Sequence, residues 1–287
     1  MQKIDLEIIQ DLIGKALDED LKKDGDITSN LIIPDYKPVK FQISNREEII
    51  LCGMDFALMV FDLVAEKLKS KNKLVINKKI SDGKKLKKNS VILQGIWDAK
   101  AVFAAERVVL NLLQHLSGIA TMTGKYVAEI SNKKTKILDT RKTLPGLRIL
   151  QKYAVRTGGG QNHRLGLYDG ILIKDNHIAA AGGISKALKM VKKNLSGKMK
   201  TEIECDNISQ VKESLDNGAD IIMLDNMNLN QIKRAVKLIG NKAKIEVSGG
   251  VNLKNIKAIS KTGIDYISIG ALTHSAKAVD IGLDIID

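Results

Sequence analysis

From about residue 136 onward, short β-rich runs alternate with helical patterns, and this alternation restricts the possible folds more than any other feature of the chain. The runs are Lys136-Ile-Leu-Asp-Thr140, Gly170-Ile-Leu-Ile-Lys-Asp-Asn176, Thr201-Glu-Ile-Glu-Cys-Asp-Asn207, Asp220-Ile-Ile-Met-Leu-Asp-Asn226, Lys244-Ile-Glu-Val-Ser-Gly-Gly250 and Tyr266-Ile-Ser-Ile-Gly-Ala-Leu272. Between the later runs, apolar residues recur at helical spacing over 184–193, 209–217, 229–239 and 253–262. Strands alternating with helices predict a parallel sheet with crossover helices. Six or seven such units in about 140 residues favour a closed or nearly closed barrel over an open sheet.

Each run turns polar at its C-terminal end: Asp139-Thr140-Arg141-Lys142, Lys174-Asp-Asn, Glu204-Cys-Asp-Asn, Asp225-Asn, Ser248-Gly249-Gly250 and Gly270. Barrel enzymes carry their chemistry at that face. One polar strand end is an ordinary helix cap or turn. Six of them on one rim call for a ligand.

The rim residues sort into three groups. Arg141, Lys142, His163, Arg164 and Lys174, with Arg107 as a candidate addition, form a cationic set. So many cations converging predict an anionic ligand, because Arg and Lys make charge-assisted hydrogen bonds to carboxylate and phosphate. Glu204 and Asp225 form an acidic pair. Such a pair beside anions suits Mg²⁺ bridging to phosphates, although for either residue alone a salt bridge to a nearby lysine serves equally well. Glu202 lies two residues before Glu204, faces the same side of its strand, and is expected to point into the barrel and pair with a lysine there. Ser248-Gly249-Gly250 and Ile269-Gly270-Ala271 form a late glycine-rich group whose backbone N–H groups could cradle a phosphate. Cation pocket, acid pair and phosphate cup together predict metal-assisted transfer of a phosphorylated group to an anionic acceptor. No residue reads as a nucleophile: Ser248 and Cys205 have no base partner by spacing.

The region before the barrel reads as a compact α+β unit. An amphipathic helix near residues 6–17 opens it, strand-like segments fill 38–98, and a helix over 55–69 interrupts them. Asp98 is placed to cap a long helix over 99–116 that carries Glu106 and Arg107. The predicted division is 1–112 for the first domain, joined by a tail at 276–287, and 113–275 for the barrel.

Composition removes several function classes. The net charge is +13, but the lysines are scattered and aromatics are only 3%, so no surface for stacking bases is legible. No apolar run approaches the roughly 20 residues that span a bilayer. The first residues, Met1-Gln-Lys-Ile-Asp-Leu-Glu7, are too acidic for a signal peptide, so a cytoplasmic location is expected. Cys52 and Cys205 have no metal-ligand spacing and read as buried thiols.

Several long motifs resemble the quinolinate phosphoribosyltransferase family, also called carboxylating nicotinate-nucleotide pyrophosphorylases. They are Asp139-Thr-Arg-Lys-Thr-Leu-Pro-Gly-Leu-Arg148, Gly158-Gly-Gly-Gln-Asn-His-Arg164, Leu172-Ile-Lys-Asp-Asn-His177 and Gly270-Ala-Leu-Thr-His-Ser-Ala276. Gly25-Asp-Ile-Thr-Ser29, Arg46-Glu-Glu with Leu51-Cys-Gly53, and Glu106-Arg-Val-Val-Leu-Asn111 extend the likeness over nearly the whole chain. Leu144 and Thr157 depart from the family pattern without removing a charged residue.

The resemblance implies an N-terminal α/β sandwich domain, an incomplete TIM-like α/β barrel, a returning tail and a homodimer with shared sites. It implies that quinolinate and 5-phosphoribosyl 1-diphosphate give nicotinate mononucleotide, diphosphate and CO₂ for NAD synthesis. Arg107 (from the other subunit), Arg141, His163, Arg164 and Lys174 would hold quinolinate. Thr140, Lys142, Glu204 and Asp225 would surround the ribosyl diphosphate and its Mg²⁺, with Lys142, Glu204 and Asp225 as the catalytic set. Ser248, Gly249, Gly250, Gly270 and Ala271 would hold the 5-phosphate. His274 either joins them or caps a helix. The rivals are a nicotinate phosphoribosyltransferase, which needs fewer cations, a molybdenum-transport-linked paralogue of the same fold, and a basic nucleic-acid-binding protein.

Overall fold

A computed structural model describes residues 6–130, 132 and 134–287. In chain order the elements are α1 (Leu6–Leu21), α2 (Ile27–Ile32), β1 (Pro38–Asn45), β2 (Ile49–Ile50), α3 (Met54–Lys67), β3 (Val75–Lys79), β4 (Lys85–Leu86), β5 (Val91–Asp98) and α4 (Ala99–Glu129). There follow β6 (Lys136–Leu138), α5 (Arg148–Thr157), β7 (Ile171–Ile173), α6 (Asp175–Ala181), α7 (Ile184–Asn194), β8 (Thr201–Cys205) and α8 (Ile208–Asp216). The chain closes with β9 (Ile221–Asp225), α9 (Leu229–Ile239), β10 (Lys244–Ser248), α10 (Ile256–Ser260), β11 (Tyr266–Ser268), α11 (Ala271–His274) and β12 (Ile281–Ile286).

The chain divides into two compact units, one of residues 1–122, 144–158 and 275–287, the other of residues 123–143 and 159–274. The first unit is built on an antiparallel sheet in the order β12-β1-β5-β3. Phe41 of β1, Phe61 of α3 and Trp97 of β5 meet in its core, Phe61 tilted against Phe41 and edge-to-face with Trp97, with ring centroids 5.8 and 5.9 Å apart. The tail strand β12 pairs with β1 from Asn45↔Ile281 to Lys40↔Ile286. Asp98 accepts the Lys100 N–H at 3.0 Å and starts α4, which runs thirteen residues past the predicted end at 116. The apolar face continues beyond Gly118 through Ile119, Ala120 and Tyr126, all buried, and packing outweighs the glycine.

Sequence reasoning assigned no element to 144–158. Residues 148–157 form α5, with Lys152 fully buried. This helix clusters with the first unit, although its chain neighbours on both sides belong to the second.

The second unit holds a six-stranded parallel sheet in the order β6-β11-β10-β9-β8-β7. This is barrel order, with one gap between β6 and β7. Beside the gap, Gln161 bridges to Leu138 as a single parallel pair. The barrel is therefore incomplete. Helices α6 to α10 pack against one another in sequence.

The strands alternate in a way that explains both layers. Ile203, Cys205, Ile222, Leu224, Ile245, Val247 and Ile267 form one buried apolar set. Their neighbours Glu202, Glu204, Met223, Asp225, Glu246, Ser248, Tyr266 and Ser268 line cavities on the inner face.

Candidate active site

The C-terminal ends of the six parallel strands surround a cavity of about 640 Å³. Fourteen of the predicted residues line it: Thr140, Arg141, Lys142, His163, Arg164, Lys174, Glu204, Asp225, Ser248, Gly249, Gly250, Gly270, Ala271 and His274. Arg107 does not. It sits on α4 in the first unit, exposed, and borders a separate pocket with Leu12, Asn111 and His115.

The cationic wall is held by backbone and carboxylate groups. Arg164 donates from Nη1 to the Gly170 carbonyl at 2.8 Å. Burial, and then the charge of Arg141, lowers the pKa of the Arg164 guanidinium, while Glu202, Asp169 and Glu204 oppose that shift. Two guanidiniums in one half-buried wall form a site that an anion relieves. Lys174 lies 2.8 Å from Glu204. The structure thus joins one predicted quinolinate ligand to one predicted ribosyl-diphosphate ligand, and the ion-pair reading of Glu204 is realised in this state.

Next to Arg164, His163 faces two buried carboxylates. The Arg164 backbone N–H donates to His163 Nδ1 at 2.8 Å. In this arrangement Nδ1 serves as an acceptor and fixes the orientation of the ring. Nε2 faces Glu202 at 3.1 Å and Glu246 at 3.6 Å. The partner of Glu202 is therefore this imidazole rather than a lysine. Its backbone is anchored by Asp139, a fully buried residue that accepts from His163 N at 2.9 Å and from Asn162 Nδ2 at 2.5 Å. His177, quoted in the same motif, accepts the Lys174 N–H at 3.0 Å and serves as a helix cap.

The opposite wall is built from tight turns. Gly249 has φ +81°, and a Cβ there would come within 2.1 Å of Asn226 Oδ1. Asn226, itself left-handed at φ 52°, donates to Asp225 at 2.7 Å. The Gly250 carbonyl accepts from Asn252 at 3.2 Å and Asn255 at 2.9 Å. Gly270 gives room to two side chains: a Cβ would meet Lys142 Cδ at 3.0 Å and the His274 ring at 3.3 Å. Thr273 Oγ1 donates to the Lys142 carbonyl at 2.7 Å, and the Lys142 N–H donates to Thr140 Oγ1 at 3.0 Å.

Glu204 and Asp225 also border a smaller cavity of about 220 Å³ with Asp175, Asp206 and Lys174. A donor set of carboxylate oxygens is the set Mg²⁺ takes, so these residues fit the expected ion.

Sequence reasoning missed Asn226, Ser268, Leu172, Met223 and Val251, which line the main cavity, and Glu246 beneath it. Asn226 left a trace: three strands in succession end in Asp-Asn, at 175–176, 206–207 and 225–226. Glu246 left one too, as an acid inside an apolar strand in register with the inward positions.

Fold and rim together define an α/β-barrel enzyme that brings anionic groups together at the C-terminal face of its strands. Residues 26–117 match the family described as "Quinolinate phosphoribosyl transferase, N-terminal domain", and residues 119–284 match the corresponding C-terminal domain. The chain belongs to the quinolinate phosphoribosyltransferase family. It is 44% identical to the probable nicotinate-nucleotide pyrophosphorylase [carboxylating] of Bacillus subtilis, over 91% of this chain and 88% of that one. It is 42% identical to the nicotinate-nucleotide pyrophosphorylase [carboxylating] of Mycobacterium leprae, over 96% of each. The crystal structure of nicotinate-nucleotide pyrophosphorylase from Ehrlichia chaffeensis superposes with a TM-score of 0.91 at 46% identity, covering 100% of both chains.

Proposed function

We propose that this protein is a pentosyltransferase that joins quinolinate to 5-phosphoribosyl 1-diphosphate. The products are nicotinate mononucleotide, diphosphate and CO₂, and the reaction supplies pyridine nucleotide for NAD. The observation that carries this reading is the convergence, in one cavity, of a two-guanidinium wall, an acid pair and a glycine cup. The homologues' names point the same way.

In this reading Arg141, Arg164 and Lys174 take the two carboxylates of quinolinate, with His163 forming the wall that steadies Arg164. The Ser248–Gly250 turn with Gly270 and Ala271 takes the 5-phosphate, and His274 stands beside it. Thr140, Lys142, Glu204 and Asp225 surround the ribose and diphosphate. When bound, Mg²⁺ supplies charge neutralisation to the diphosphate, with Glu204 and Asp225 as its oxygen-donor residues. Lys142 adds a fixed positive charge where the leaving oxygens develop theirs. Glu204 or Asp225 stabilises the oxocarbenium-like ribosyl centre. The pyridine nitrogen bonds to that centre as diphosphate departs. The resulting pyridinium ring then takes up the electron pair of the breaking bond to the adjacent carboxylate, which leaves as CO₂, and the ring carbon left with that pair takes a proton from water to give nicotinate mononucleotide. We read the working form as a cytoplasmic homodimer in which the exposed Arg107 completes the site of the second copy.

The test is an end-point assay with Mg²⁺, the ribosyl diphosphate and either quinolinate or nicotinate, following CO₂ and mononucleotide. Product and CO₂ with quinolinate alone is the expected result. Product from nicotinate without CO₂ would overturn the two-carboxylate pocket, and activity with neither would overturn the reaction.

A further inference from the structure

Residues 164–170 form a loop that is anchored at both ends. At its start, the Arg164 N–H donates to His163 Nδ1 at 2.8 Å, and the His163 N–H donates to the buried Asp139 carboxylate at 2.9 Å. At its end, Gly170 immediately precedes β7, whose Ile171 stands in register with Thr201 of β8. Between these ends the loop is tied to itself. Asp169 accepts the Leu165 N–H at 2.8 Å and the Gly166 N–H at 2.9 Å, one on each carboxylate oxygen. A Cβ at Gly166 would collide with the Tyr168 ring, so the missing side chain lets that ring lie against the turn.

Arg164 closes the mouth of the loop, with Nη1 donating to the Gly170 carbonyl at 2.8 Å. Among the described residues this carbonyl is the one hydrogen-bond acceptor of the guanidinium, and it is uncharged. A guanidinium has five N–H donors. One neutral acceptor therefore orients it and leaves its charge and most of its donors for a ligand. Lys174 is the contrast, because a carboxylate, that of Glu204, holds it at 2.8 Å. Gly170 acts in a second way. Its backbone lies outside the left-handed region, so the conformation does not demand glycine. The space does: a Cβ there would lie 3.2 Å from Arg164 Cβ and 3.3 Å from Arg164 Cδ. Arg164 lines both the main cavity and a second one of about 340 Å³, whereas Asp169 and Gly170 line the second and not the main one. They stand behind the arginine and do not reach its ligand.

We infer that Asp169 and Gly170 are positioning residues for quinolinate: they hold the 164–170 loop as a clasp that presents the Arg164 guanidinium, oriented but not ion-paired, to a substrate carboxylate. This rests on the function proposed above. A free arginine side chain gives up rotamer freedom when it binds, and a clasped one has already done so. Arg164 meets the same carboxylate before and during the reaction, so the gain falls on the KM for quinolinate and not on kcat.

Two variants loosen the clasp by different means. Asp169→Asn removes one of the two ties within the loop, and Gly170→Ala crowds the Arg164 stem while keeping the carbonyl. Each is expected to raise the KM for quinolinate about tenfold, the scale of one hydrogen bond to a charged group. The kcat and the KM for the ribosyl diphosphate stay level. In an Arg164→Lys background neither variant adds a comparable rise, because residues that act as one unit are not additive. Equal loss for both substrates, or a full further loss in the Arg164→Lys background, overturns the proposal. Side-chain ¹⁵N–¹H spectra of wild type, with the Arg164 signals assigned from Arg164→Lys, report the clasp without turnover. A guanidinium held by a carbonyl rotates slowly, so separate Nη signals are expected in wild type and merged ones in Gly170→Ala. That result supports the clasp even if quinolinate proves not to be the substrate. A merged Arg164 signal in wild type overturns it even if quinolinate turns over.

Discussion

At the scale of single residues, the site depends on atoms that touch no substrate. Gly249 illustrates this. It is left-handed, and the space its side chain would fill is occupied by the Asn226 amide that holds Asp225. Gly249→Ala is therefore expected to do two things at once. The strained backbone costs about 1–3 kcal/mol, visible as a lowered thermal midpoint. The displaced amide releases Asp225, so the KM for the ribosyl diphosphate rises while quinolinate affinity changes little. Equal loss for both substrates would show that the turn acts only through stability. His163 belongs to the same scale. A sequence places a histidine beside an arginine, but only the folded chain shows its Nδ1 accepting the Arg164 N–H while its Nε2 faces Glu202 and Glu246.

At the scale of elements, α4 shows propensity yielding to packing. Gly118 lies within this helix, where alanine would ordinarily add about 1 kcal/mol. A Cβ at that position would lie 2.1 Å from the Lys277 carbonyl oxygen, so the missing side chain is what lets the tail cross the helix there. Nearby, Val279 N donates to Gln114 O at 3.2 Å, and Gln114 Nε2 donates to Ile281 O at 2.7 Å. Gly118→Ala is expected to destabilise despite the better helix former, because overpacking against backbone costs about 1–3 kcal/mol. Thermal unfolding checks the sign, and a raised midpoint would mean that the tail yields easily. The barrel strands make the complementary point. Their periodicity was legible in the sequence because one face had to be apolar against the helices. The polar inner face was legible only at the strand ends, where six changes of character fall in step.

At the scale of the whole molecule, residues 281–286 complete the sheet of the first unit. Deleting 281–287 would leave β1, with Phe41 and Ile43 fully buried, as an open edge with unpaired backbone groups. Such a truncation is expected to lower the thermal midpoint and promote association, read by light scattering. A monodisperse product of unchanged stability would show that β12 is dispensable. The opposite edge, β3, carries Lys78 and Lys79 and is exposed throughout, as an edge protected by charge would be. Much of the +13 charge therefore belongs to the surface. No described helix is long and apolar enough to cross a membrane.

The sequence by itself determined the alternating strands and helices, the polar rim and the membership of the family. These are local patterns, set by side-chain period and by motifs whose residues lie close together in the chain. Tertiary structure alone decided that α5 belongs with the first unit and that Glu202 and Glu246 meet at one imidazole. The reason is curvature and long-range closure. Residues 44 positions apart on strands that are not neighbours come within reach of a common partner only when the sheet bends, and no local pattern encodes how far it bends.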